Sequence, residues 1–99
     1  MNEFTDSLLE KADQLKTDGR HQEAISLCEK MLLSDLECVE AYEEIGDNYL
    51  SLRQYEKAMR ALSRAVSLDP QSANANYLLG FTHSAVGNWQ HSIDSLEKA

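Results

Sequence analysis

His91, Ser92 and Asp94 place the side-chain types of a base, a nucleophile and an orienting carboxylate close together in the chain. A hydrolytic relay needs the serine hydroxyl, the imidazole and the carboxylate in one hydrogen-bonded line. The surrounding pattern is helical, and on a helix residues one and two apart point in different directions, so these three cannot form that line. His21 and His83 lie in other segments at helix-packing positions, His83 as a half-buried packing residue, and a three-histidine metal site is not expected. Cys28 and Cys38 lack the CxxC spacing of zinc or redox sites. Both read as reduced thiols, Cys28 as a small hydrophobe on a helix and Cys38 near a turn. With no Gly-rich phosphate loop and no paired-carboxylate cleft, the sequence predicts no enzyme, no metal and no cofactor.

Charge carries more information. Nine basic against seventeen acidic residues give a formal charge of -8, which repels phosphate backbones and anionic lipid heads. Neither nucleic acid nor a membrane surface is an expected partner; a basic or apolar protein segment is. The first residues show no leader pattern and no run is long enough to span a bilayer, so the expected compartment is the cytoplasm. The apolar fraction of 42% is ordinary for a folded domain.

The elements that must position these charges repeat. Gly46 and Gly80 are 34 residues apart, as are Tyr55 and Trp89, Leu62 and Leu96, and Ala65 and Ala99; the same step backwards takes Arg53 to Gly19, Tyr55 to His21 and Ala58 to Ala24. Within each period, apolar residues recur three and four apart over two stretches separated by a Gly or polar cluster, which predicts a pair of amphipathic helices per unit. Gly46 and Gly80 mark a close helix approach, with Ala24 and Ala58 as its matching small face. Pro70, the only proline, ends the second helix of its unit. One unit cannot bury its apolar face alone, and about three are needed for a stable stack.

The middle unit, with Tyr42, Ile45, Gly46, Tyr49, Tyr55, Ala58, Leu62, Ala65 and Pro70, resembles the tetratricopeptide repeat (TPR) family, and the likeness extends from Thr5 to Ala99. It implies an all-α, right-handed superhelical stack of three antiparallel helix pairs: a degenerate first repeat at 5–38, the best match at 39–72, and a third at 73–99 that breaks off in its second helix. Ending there, the sequence reads as a segment of a longer array. The resemblance also implies a non-catalytic protein-interaction module whose first helices line a concave peptide groove. By that geometry the groove takes Asp13 and Lys16 from the first unit, Glu40, Glu43, Glu44 and Asp47 from the second, and Asn74, Tyr77 and Phe81 from the third. The outer face, with Lys57, Arg60 and Arg64, should carry the opposite sign.

Family members that clamp the carboxylate tail of chaperones use Lys, Asn and Arg at positions held here by Leu9, Asp13, Glu44, Asn74 and Leu78, so that ligand is not expected. A basic, partly apolar peptide is, with a homodimer or array contact through the third repeat as the alternative. Ala58→Leu overpacks the predicted close contact, which typically costs about 1 to 3 kcal/mol; thermal melts should show a drop of several degrees, and an unchanged melt would place the contact elsewhere.

Overall fold

The computed structural model describes the backbone of residues 3–98 and the side chains of residues 6–87. Its elements are α1 (Glu3–Thr17), α2 (His21–Ser34), α3 (Val39–Ser51), α4 (Tyr55–Leu68) and α5 (Ala73–Lys98), and the regular structure among the described residues is all helical. Helices α1 and α2 pack as one pair and α3 and α4 as the next. Helix α3 also packs on α2, and α5 on α4, while α1, α3 and α5 touch in sequence along one side.

The turn inside each of the first two pairs is the same object. Gly19 and Arg53, one period apart, both adopt left-handed backbone, with φ of 81° and 61°. In the first turn the Gly19 N–H donates to the Lys16 carbonyl at 3.0 Å and the Arg20 N–H to the Leu15 carbonyl at 2.8 Å. The second repeats both bonds, from Arg53 to Leu50 at 3.0 Å and from Gln54 to Tyr49 at 2.9 Å. This is the Schellman closure, which satisfies the last carbonyls of a helix. The loops between units repeat as well: Asp35 and Asp69 accept the N–H two residues on, from Glu37 at 3.0 Å and Gln71 at 3.1 Å.

Side chains three and four apart form the buried stripes, with Ala24, Ile25, Cys28 and Met31 on α2 and Ala58, Ala61, Leu62 and Ala65 on α4. Asn48 is fully buried between units. Its Nδ2 donates to the Glu44 carbonyl at 2.7 Å, so its Oδ1 faces His21, whose Nδ1–H donates to it at 2.9 Å.

The close approach predicted at Gly46 is present, but Leu62 makes it. A Cβ at Gly46 would come within 2.5 Å of Leu62 Cγ. The first unit solves the same contact with Ala12 and Cys28, one period earlier, both fully buried in one cluster.

The third unit departs from expectation. Helix α5 runs unbroken through Gly87, so the second helix expected there is continuous with the first. Gly87 stands one period after Arg53, yet it does not adopt the left-handed backbone. Glycine permits that turn without compelling it, and Arg53 adopts it despite having a side chain. What fixes the turn in the first two units is the packing of the returning helix.

The Ala12/Cys28 pair generates a rescue test. Gly46→Ala and Leu62→Cys should each lower stability by about 1 to 3 kcal/mol, one by overpacking and the other by a cavity. In urea unfolding the double variant should lose clearly less than their sum, whereas additive losses would show that the two residues do not share a contact.

Candidate functional site

The side formed by α1, α3 and α5 collects the residues singled out for the groove. Asp13 lies on α1, Glu40, Glu43, Glu44 and Asp47 on α3, and Asn74, Tyr77 and Phe81 on α5. They divide into three groups with different fates.

In the first group the acids already hold a cation. Lys16 Nζ sits 3.1 Å from Asp47 Oδ2, 3.4 Å from Glu44 Oε1 and 3.4 Å from Asp13 Oδ1. Side-chain exposures of 24% for Lys16, 22% for Glu44 and 35% for Asp47 put the bridge at the edge of the core, where water screens it incompletely. Lys16, expected in the groove, also ties α1 to α3. A residue on one first helix faces those about one period on, less a turn, on the next, and Glu44 and Asp47 lie 28 and 31 residues after Lys16. That offset was the available signal.

Burial by itself would lower the Lys16 pKa, but the Asp47 hydrogen bond, the charges of Glu44 and Asp47 and the bond to Asp13 outweigh it and push it up. Glu44 moves in the sense that opposes pairing. Its burial, aided by the charges of Asp13 and Asp47, raises its pKa despite Lys16. The two directions agree once burial is weighed: Glu44 Oε2 is buried and has no hydrogen-bond partner among the described residues.

The second group is structural. The Ser72 hydroxyl donates to Glu43 Oε1 and accepts the Ala75 N–H at 3.2 Å, capping α5. Asn74 Nδ2 donates to the other Glu43 oxygen at 3.1 Å. Glu40 lies in the first turn of α3, where it offsets the helix dipole, whereas Glu43 lies beyond that turn. Glu43 instead clamps α3 to the start of α5.

The third group is open. Tyr77 and Phe81 are 70% and 53% exposed, so neither is spent on the core. With Leu78, Asp47, Leu50 and Ser51 they line a cleft of about 340 Å³ between α3 and α5. A larger cleft of about 540 Å³ lies between α1 and α2, away from the groove, with Lys11, Gln14, Leu15 and Leu27 among its walls. The smaller cleft is the better candidate, because its walls combine aromatic rings with a fixed carboxylate.

The remaining expectations fare unevenly. Cys28 and Cys38 are buried free thiols, and burial pushes the Cys28 thiol up to about 12 and raises that of Cys38, so neither is a ready nucleophile. His83, expected half-buried, is exposed. Lys57, Arg60 and Arg64 are exposed on α4, with Lys57 5.6 Å from the centre of the Tyr49 ring. The side chains of His91, Ser92 and Asp94 lie outside the described residues, as does that of Trp89. Among the described residues no helix is long and apolar enough to cross a membrane.

Comparison with known proteins bears on this arrangement. The TPR repeat family model matches residues 46–87, which run from the middle of α3 through α4 to Gly87 in α5. Residues 46–87 carry the tetratricopeptide repeat. A crystal structure of MamA protein superposes with a TM-score of 0.78 at 31% identity over 98% of this chain and 53% of that one. The second TPR of Spaghetti (RPAP3), bound to HSP90 peptide SRMEEVD, covers 92% of this chain and 84% of its own at 19% identity with a TM-score of 0.78, a likeness of fold. Anaphase-promoting complex subunit 7 of Mus musculus is 28% identical over 68 residues, 69% of this chain and 12% of that protein. The chain thus spans about half of MamA and a small part of the mouse relative. The TPR fold supports a protein–protein interaction module.

The Lys16 bridge makes a pH-dependent prediction. Lys16→Met should cost about 1.5 to 3 kcal/mol at pH 7, the range for hydrogen bonds to charged groups. On the acid side the loss should shrink toward pH 4 as Glu44, whose carboxyl burial holds above its ordinary range, takes up a proton. The raised Lys16 pKa keeps its contribution intact up to the ordinary lysine value of 10.5 and loses it only as pH rises further. Glu44→Gln should cost less than Lys16→Met at pH 7, because a raised carboxylate pKa favours the fold below its ordinary value of 4.5 and loses that advantage as pH rises. Chemical unfolding at pH 4 and pH 7 checks both, and a Lys16→Met loss that is the same at the two pH values would contradict the account.

Proposed function

We propose that the chain is a non-catalytic protein-interaction module whose α3–α5 cleft takes a basic, partly apolar peptide segment. The observation that carries this reading is the cleft itself, where exposed Tyr77 and Phe81 share walls with the Asp47 carboxylate. Aromatic rings left in water beside a fixed charge suit a ligand with an apolar side chain and a nearby cation. Around Lys16, three carboxylates and one ammonium leave negative charge in excess. A ligand Lys or Arg would therefore meet Asp47 and Asp13 at the open side of the bridge. Glu43 and Asn74 hold the walls in place. The same charges oppose an acidic ligand such as SRMEEVD, the peptide held by the Spaghetti repeat. The net charge of -8 argues against nucleic acid and anionic membranes, and two free buried cysteines suit a reducing cytoplasm.

A second reading, self-assembly through the third unit, has its own support: Gly80 is exposed and its close-approach site is unfilled among the described residues.

The first reading is tested with a fluorescent amphipathic Lys/Leu peptide. Its affinity should weaken as ionic strength rises past about 0.15 M, where the screening length is near 8 Å. Phe81→Ala should weaken binding by about tenfold at every salt concentration, as loss of a central aromatic anchor does. Asp47→Lys should remove most of the salt dependence. Equal binding of SRMEEVD, or affinity unchanged in both variants, would overturn this reading.

A further inference from the structure

Positions 46 and 80 are the same place in successive repeats. Gly46 is buried under Leu62, whereas Gly80 is exposed and, among the described residues, nothing lies within 4 Å of where its Cβ would be. The difference extends along the helix. On α3 and its C-cap, Ile45 and Gly46 are buried and Tyr49 and Leu52 half-buried; on α5, the matching Leu79 and Val86 are half-buried and Gly80 and His83 are exposed. This open face continues the row of paired-helix contacts that α2 and α4 fill in the first two units.

The sequence holds the helix that belongs there. Leu96 stands one period after Leu62, which is fully buried on α4, and Trp89 and Ile93 stand one period after the half-buried Tyr55 and Met59. But α5 is one helix from Ala73 to Lys98. At 1.5 Å per residue, Gly80 and Leu96 are about 24 Å apart along its axis, so residues 88–98 cannot cover the open face of their own chain in this conformation.

We propose that two copies of the chain exchange these segments. The helix 88–98 of each lies on the Gly80 face of the other, with Leu96 over the partner's Gly80 as Leu62 lies over Gly46. The arrangement rests on the self-assembly reading above and specifies its contact. It is reciprocal, so it closes at two copies with a two-fold axis and leaves neither socket open. Gly87 lies between socket and arm, at the position that turns in the first two units. Its helical conformation is what sends the arm outward.

The test uses the intact chain. Gly80→Cys and Leu96→Cys are made as separate proteins, mixed, and incubated with oxidised glutathione; the buried native cysteines are controlled by each variant alone. The expected result is a disulfide-linked dimer in the mixture that neither variant gives alone, with sedimentation showing dimers before oxidation. Gly87→Ala, which favours the helix and disfavours a left-handed turn, should tighten the dimer by about fivefold or more. If the two substitutions in one chain give an intrachain disulfide at monomer mass, the arm folds back on its own socket and the exchange is overturned. A dimer without the mixed disulfide would overturn the exchange while leaving self-assembly standing. A monomer at hundreds of micromolar would overturn both.

Discussion

The distance at which the first and second helices of a unit approach each other controls most of what this chain builds. At Gly46 that distance leaves no room for a side chain, because Leu62 occupies the space. A close crossing buries Ala58, Ala61 and Ala65 along α4 and holds α3 so that its other side meets α2. Each unit then offers the next a surface of the same shape, and the first helices line up along one side. The left-handed turns at Gly19 and Arg53 follow from this packing, as the unbroken α5 makes plain. Stability in such stacks is a sum of unit and neighbour terms, so a unit without its packing partner is the natural place for a different conformation.

Superposed on this scaffold is an electrostatic arrangement that serves two ends. Lys16 joins the first two units through Glu44 and Asp47, and so draws charge away from the groove that a peptide would meet. Partly buried bridges of this kind contribute less through net attraction than through the penalty for breaking them. Their strongest effect is on register, fixing α1 against α3. The cleft beyond the bridge keeps the Asp47 side chain in its wall, and that side chain joins the bridge to the aromatic end of the groove.

Much of the fold was legible because it is written in a period of 34 residues, and a periodic pattern of glycine, alanine and aromatic residues survives substitution at single sites. The helix boundaries at Tyr55 and Pro70 and the small buried faces at Ala24 and Ala58 could be read directly. Gly87 could not, since its sequence permits a turn that depends on tertiary packing. In the groove, residue types were legible and pairings were not. Glu43 and Glu44 are adjacent in sequence, yet one binds Ser72 and Asn74 while the other faces Lys16. A helix turns about 100° per residue, so which acid meets which partner depends on the angle between helices, which the sequence does not state. Tyr77 and Phe81, expected in the groove, are exposed, and Gly80 between them, expected at a close helix contact, is uncovered as well.

The cleft between α3 and α5 is the proposed recognition site. Its most direct test is an amide chemical-shift titration of the isotope-labelled chain with an unlabelled basic amphipathic peptide. The account predicts that shifts concentrate at Asp47 to Ser51 and Tyr77 to Phe81, the two walls of that cleft. Shifts centred on Lys11, Gln14 and Leu27, in the larger cleft between α1 and α2, would contradict it.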